Sequence, residues 1–243
     1  MNHIEICKLT KRFGTRGAVD GLSLSIPQGE LFALLGVNGA GKTTTIRMLC
    51  GLSRATAGTA SVCGYDITKE LANVRNVIAL SPQETAVAPA LTARENLALL
   101  AGAHGMAREE TAQRIEELSQ DLHLADILER RAGKLSGGWK RRLSIAMALI
   151  SKPRVLFLDE PTLGLDVLAR RELWDVIRAQ RGKTTIVLTT HYMEEAEALA
   201  DRVGVMKDGH LLAVDTPSAL CAMTDTTRLE DAFLAIVKGD ATI

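Results

Sequence analysis

The residues most able to do chemistry lie together in Gly36-Val37-Asn38-Gly39-Ala40-Gly41-Lys42-Thr43-Thr44. The stretch follows the apolar run Leu31-Phe32-Ala33-Leu34-Leu35 and precedes Thr45-Ile46-Arg47-Met48-Leu49, which reads as a helix. Strand, glycine-rich loop and helix in that order form a phosphate cradle of the G-x-x-x-x-G-K-[ST] type. Glycines let backbone N–H groups turn inward and phosphate oxygens approach the main chain. A helix starting near Gly41 adds the positive end of its dipole. Lys42 would then place a point charge on the β- and γ-phosphates, and the Thr43 hydroxyl can ligate Mg²⁺. The bland alternative is a tight strand-to-helix turn. A dinucleotide fingerprint is set aside, because Thr44 stands where its third glycine belongs.

Two further groups carry chemistry. Asp159-Glu160 follows the continuous apolar run Val155-Leu156-Phe157-Leu158. Carboxylates at the C-terminal end of a buried strand sit where a phosphate-loop protein needs its metal and its attacking water. Asp159 would orient Mg²⁺, and Glu160 would act as general base. A helix N-cap or an acidic loop is the competing reading, and Pro161 fits either. Leu135-Ser136-Gly137-Gly138 precedes a helical pattern from Trp139 to Ile150. Ser136 reads as an N-cap, and with Gly137 and Gly138 it would form a second anion site at a helix start.

The elements that must position these groups follow from periodicity. His3 to Leu9 and Gly21 to Ile26 alternate as half-buried antiparallel strands do. Thr59 to Cys63 and Asn76 to Leu80 read as short strands. Thr92-Ala93-Arg94-Glu95 is a capping box opening a helix from Arg94 to Ala101. A charge-rich helix runs from Arg108 to Leu122 with a stripe of Thr111, Ile115, Leu118 and Leu122. Val155 to Leu158 and Thr185 to Thr189 read as parallel strands buried on both faces. Helices are expected over Val167 to Ala179 and Glu194 to Ala200, then a hairpin of Val203 to Met206 with His210 to Val214, then two short helices. The fold class is therefore α/β: a mostly parallel sheet, an N-terminal antiparallel β part and an inserted helical part. It is read as one 1–243 domain, with a catalytic core over 1–90 and 151–243 and a helical block over 91–150.

Composition narrows the function classes. Lys+Arg and Asp+Glu balance at 29 each in 243 residues. Phosphate attraction must therefore be local, and bulk charge argues for neither nucleic acid nor anionic lipid. Aromatic residues make up 3%, too few for a base-stacking platform. Cys7, Cys50, Cys63 and Cys221 form no C-x-x-C pair, so a reduced cytosol fits better than a zinc site or disulfide framework. There is no signal-peptide pattern and no apolar run of about 18 residues to span a membrane.

Together these motifs resemble the ATP-binding cassette (ABC) ATPases, the nucleotide-binding subunits of ABC transporters. Gly36 to Thr43 resembles the Walker A loop, Leu135 to Gly138 the signature motif, and Val155 to Glu160 the Walker B strand with its catalytic glutamate. Gln83, in Leu80-Ser81-Pro82-Gln83-Glu84, resembles the Q-loop glutamine, Gly164-Leu165-Asp166 the D-loop, His191 the switch histidine, and Phe13 the aromatic that stacks on adenine. The resemblance implies ATP and Mg²⁺ as ligands. Gln83 and His191 join Glu160 as catalytic groups, and Gln83 joins Thr43 and Asp159 at the metal. It implies head-to-tail pairing with a second ATPase subunit, so that Ser136 to Gly138 of one covers the phosphate held by the other. It further implies a membrane permease docking near Gln83 to Leu97, and a peripheral place on the cytoplasmic side of the cell membrane. No nucleic-acid partner is expected. Thr190 to Ala196 and Leu229 to Leu234 resemble short bacterial exporters of the ABC-2 type. A soluble ABC ATPase acting in assembly or mechanochemistry is the alternative. A non-hydrolysing regulatory subunit is disfavoured by Glu160. The family's signature has Gln where this chain has Trp139, and an indole with one donor and no acceptor cannot replace an amide's paired bonds.

Two outcomes are expected. Glu160→Gln should keep ATP binding and lower turnover by about 10²–10⁴, the scale for losing a general base; an unchanged rate of phosphate release would end that assignment. Lys42→Ala should abolish tight ATP binding, and wild-type affinity in an equilibrium titration would count against the loop.

Overall fold

A computed structural model describes residues 1–239; the last residues assigned to the core, 240–243, lie outside that range. The chain folds around a six-stranded sheet in the order β10-β9-β3-β8-β7-β6. Its strands are β3 (Leu31–Gly36), β6 (Ile78–Ser81), β7 (Val155–Asp159), β8 (Thr185–Thr190), β9 (Arg202–Lys207) and β10 (His210–Asp215). All neighbours in it pair parallel except β10, which returns antiparallel on β9.

Both faces of this sheet are covered, which is why β3, β7 and β8 read as unbroken apolar runs. Leu31, Ala33, Leu35, Leu156, Leu158, Ile186 and Leu188 join one core, shared with the helices α3 (Ala93–Ala103), α4 (Arg108–Asp121), α5 (Gly137–Leu149) and α6 (Val167–Arg178). Phe32, Leu34, Val155, Phe157 and Val187 join a second core on the opposite face. That core is shared with α1 (Lys42–Leu49) and a four-stranded antiparallel sheet. Its strands are β1 (Asn2–Phe13), β2 (Arg16–Pro27), β4 (Ala57–Val62) and β5 (Tyr65–Asp66). Each fully buried Leu or Phe in these layers contributes roughly 1.5–3 kcal/mol by transfer from water. α7 (Met193–Leu199) follows β8, and after β10 the described residues close with α8 (Pro217–Met223) and α9 (Leu229–Lys238).

From 93 to 149 every named element is helical, so the insertion interrupts the α/β chain between β6 and β7. The capping box forms as expected: Thr92 Oγ1 accepts from the Glu95 N–H at 3.1 Å and Glu95 Oε2 accepts from the Thr92 N–H at 2.7 Å.

Three expectations need correction. Asn76 and Val77 do not begin a strand; they end a helix, α2 (Leu71–Val77), and β6 starts only at Ile78. The helix is short, has no side-chain cap and buries only Val74, so it leaves no periodic trace. β1 and β2 run well past Leu9 and begin before Gly21. Register shifts flank Leu9, and Lys8 takes a positive φ of 49°, so the period-two pattern breaks while pairing continues to Phe13↔Arg16. Ser136 occupies the N-cap position of α5, but its side chain makes no capping bond.

His3 ties the two sheets. Arg154 Nη2, which can only donate, lies 3.2 Å from His3 Nε2, so Nδ1 carries the proton toward Thr185 Oγ1 at 2.7 Å. Burial first, then the Arg154 charge, lowers the His3 pKa below 6.5. The folded protein therefore binds fewer protons here than the unfolded chain at pH values between that lowered pKa and about 6.5, and stability rises with pH through this window. His3→Gln should flatten that slope: wild type loses more stability than the variant as pH falls below about 6.5. Parallel urea-unfolding curves at pH 7 and pH 5.5 would refute it.

Candidate active site

The parallel sheet delivers the C-terminal ends of β3, β8, β7 and β6 to one edge, and the chemistry-bearing residues follow those ends. β3 leads into Gly36 to Lys42, β7 into Asp159 and Glu160, β8 into His191, and β6 into Gln83. Phe13, Asn38, Gly39, Ala40, Gly41, Lys42, Thr43, Thr44, Gln83, Glu160 and His191 line one cleft of about 670 Å³. That volume lies within the range of small-ligand pockets.

The loop is built for close approach. Gly39 and Gly41 take φ of 84° and 106°, which side-chain-bearing residues avoid. A Cβ on Gly41 would collide with the carbonyl oxygen of Ala18. Gly36 is buried beneath the loop, and Val37 is exposed at 50%. Lys42 is 4% exposed; its Nζ donates to the carbonyls of Gly36 at 2.7 Å and Val37 at 3.2 Å. It also lies 3.5 Å from Glu160 Oε1. Burial lowers its pKa, opposed by the carboxylates of Glu160 and Asp159. A triphosphate would add further negative charge to this buried cation beside that of Glu160.

Asp159 Oδ1 accepts from the Thr43 hydroxyl at 2.9 Å and from the Thr189 hydroxyl at 2.6 Å. Thr43, Asp159 and the nearby Gln83 present hard oxygen donors, a set that suits Mg²⁺. Glu160 sits in the left-handed region at φ 48°. Such a conformation costs of order 1–3 kcal/mol and persists only when its surroundings over-determine it. Here the Glu160 N–H donates to Thr189 Oγ1 at 3.0 Å and Thr189 O at 3.1 Å. Its carbonyl accepts from the Leu163 N–H at 3.2 Å and from Arg141 at 3.3 Å. At about 0.5–1.5 kcal/mol net per hydrogen bond, these contacts are of the size of the strain. The side chain then stands between Lys42 and His191, whose Nδ1 is 3.1 Å from Glu160 Oε2, although not aligned as a hydrogen bond.

Phe13 is 56% exposed on the cleft wall, so it is not core packing. Lys11 Nζ lies 4.7 Å from its ring centroid. Ser136, Gly137 and Gly138 do not join this cleft. Ser136 and Gly137 are exposed at the start of α5, with the Ser136 hydroxyl uncommitted to a cap. Trp139 is half-buried against the helical core, and the Arg142 guanidinium stacks on its ring at 4.4 Å. Arg142 is held in turn by Glu172 at 3.0 Å.

Several residues escaped sequence reasoning. Arg16 and Leu163 line the cleft; Arg16 was legible only once the bulged hairpin was known to reach it. Thr189 looked like an ordinary strand residue. Glu195 is fully buried, accepts from Trp174 Nε1 at 3.2 Å, and has its pKa raised by burial. Glu194 instead faces Arg170 at 3.6 Å, and its neighbour's burial gives no surface sign.

Residues 19–163 match the family model described as ABC transporter. The chain is 43% identical over 219 residues to the Nod factor export ATP-binding protein I of Burkholderia lata, covering 89% of this chain and 72% of that protein. It is 44% identical over 207 residues to ABC transporter A family member 5 of Arabidopsis thaliana, covering 84% of this chain but spanning only 22% of that protein's length. A solved structure described as the ATP binding subunit of an ABC transporter superposes with a TM-score of 0.84 at 28% identity, covering 96% of this chain and 98% of the other. With the phosphate loop, the paired carboxylates and the histidine on one sheet edge, the chain belongs to the ABC transporter family, as an ATP-binding component with ATPase activity.

Proposed function

We propose that this chain energises export through a separate membrane permease, by ATP-dependent closure of a head-to-tail pair of ATPase subunits. The observation that carries this reading is a division of labour. One cleft gathers Lys42, Thr43, Gln83, Glu160 and His191, with Asp159 buried behind Thr43, while a second helix start, at Ser136, lies exposed outside it. A single chain uses one triphosphate loop, so the uncommitted Ser136 hydroxyl and the N–H groups of α5 are free to meet a phosphate held by another subunit. Val167 and Leu168, exposed at 65% and 73% beside Gly164-Leu165-Asp166, supply apolar surface for the same contact. The export direction is supported by the name of the Burkholderia relative.

In this mechanism Phe13 stacks on the base, and Lys42 with the loop N–H groups binds the phosphates. Thr43 and Asp159, with Gln83, would hold Mg²⁺, which would supply positive charge against the phosphates. Glu160 takes a proton from the attacking water as its oxygen bonds to the γ-phosphorus. The bond to the bridging oxygen breaks, ADP departs, and the proton ends on the products. His191, beside Glu160, and Gln83, at the cleft edge, orient these groups. Closure favoured by ATP and released by hydrolysis is a population shift driven by differential binding. No helix among the described residues is long and apolar enough to cross a membrane, so the work would be delivered at the membrane surface.

A pull-down from detergent-solubilised native membranes, using the Glu160→Gln protein with Mg-ATP, tests this reading. A multi-span membrane protein retained in the complex is expected. A soluble dimer with no membrane partner would favour the assembly-factor alternative.

A further inference from the structure

Arg141 lies just past the first turn of α5, and its side chain is buried, 4% exposed. A buried guanidinium requires partners for its donors. Among the described residues Arg141 makes no ion pair; it is held by main-chain carbonyls. Nη1 donates to Pro82 O at 2.6 Å, and Nη2 donates to Gln83 O at 2.6 Å and Glu160 O at 3.3 Å. One side chain thus joins three places: the helix that begins at Ser136, the loop that carries Gln83, and the strained residue after β7. A second polar contact, Ser81 Oγ to Ser144 Oγ at 3.0 Å, docks the same helix on the end of β6.

From this geometry we infer that Arg141 is a positioning residue for hydrolysis, a strut that holds Gln83 and Glu160 in register with the helix start at Ser136. It does not face the cleft and contacts no reacting atom. Its effect passes through the backbone of the residues that do. The Glu160 carbonyl is one end of a left-handed residue gripped at its N–H by Thr189. Without Arg141 that carbonyl keeps only the Leu163 N–H at 3.2 Å, so its hold weakens and the residue gains room to relax and shift its carboxylate. Planarity matters here. The fork reaches three carbonyls at once, whereas a lysine ammonium places all its donors on one atom.

The inference rests on Gln83 and Glu160 being the hydrolytic groups, which Glu160→Gln tests separately. Arg141→Gln and Arg141→Lys should be compared with wild type by steady-state phosphate release, equilibrium binding of a fluorescent ATP analogue with Mg²⁺, and hydrogen exchange. In Arg141→Gln, kcat should fall by about tenfold to a hundredfold, the scale of ångström-level misplacement of catalytic groups. Analogue affinity should stay within about threefold, and amides in 82–88 and 160–165 should exchange faster while the core sheet stays protected. Arg141→Lys should recover part of the rate, and should it alone fold, it should show the same pattern in weaker form. A wild-type kcat in the variants would overturn the inference. So would a loss of affinity and core protection in proportion to the lost rate, which marks ordinary destabilisation. If Glu160→Gln is slow while Arg141→Gln is normal, only the strut fails.

Discussion

Parallel pairing is the constraint on which the rest depends. In an antiparallel sheet, consecutive strand ends alternate between edges; in a parallel one they share an edge. β3, β8, β7 and β6 are parallel, so a lysine, a histidine, two carboxylates and a glutamine, far apart in sequence, arrive at one cleft. That arrangement requires both faces of the sheet to be covered. The helical layer covers one face, and the bulged antiparallel sheet with α1 covers the other. The bulges in β1 then do more than close the layer. They carry the hairpin on to Phe13 and Arg16, at the mouth of the cleft.

Within the cleft the polar groups are tied into one network. Thr189 donates its hydroxyl proton to Asp159 and accepts from the Glu160 N–H, so one strand residue orients both carboxylates. Lys42 reaches its own loop carbonyls and comes within 3.5 Å of Glu160. In a water-poor setting a cation beside a carboxylate is favourable, and an arriving phosphate would compete with Glu160 for it. On the proposed mechanism, binding would thereby loosen the lysine's hold on Glu160 at the moment a water must be deprotonated.

What was legible in the sequence depended on how local its cause was. The unbroken runs of β3, β7 and β8 follow from burial on two faces, and the Thr92–Glu95 box from a bond within four residues, so both could be read directly. The glycine loop was legible because backbone sign and spacing are encoded in residue type. α2 was not, because it buries one side chain. The ends of β1 and β2 were not, because bulges reset the alternation. Arg141 and Thr189 were invisible for a different reason. Their partners are remote in sequence, the Asp159 carboxylate and Glu160 N–H for Thr189 and loop carbonyls after β6 and β7 for Arg141, and an arginine on a helix gives no sign of which carbonyls it will reach.

The start of α5 shows how a missing side chain changes what a site can read. Trp139 turns toward the helical core beneath the Arg142 guanidinium, and Glu172 fixes that cation. What remains exposed at this helix start is the Ser136 hydroxyl and the main chain of the glycines. Such groups recognise phosphate oxygens through N–H donors and the helix dipole, and have no fixed pair of donor and acceptor for a sugar edge. With no net charge on the chain, long-range attraction adds nothing to this contact. On the proposed pairing, a partner subunit's nucleotide would then be read here by its phosphates, and discrimination of base and ribose would fall to the cleft that holds it, through Phe13 and Arg16.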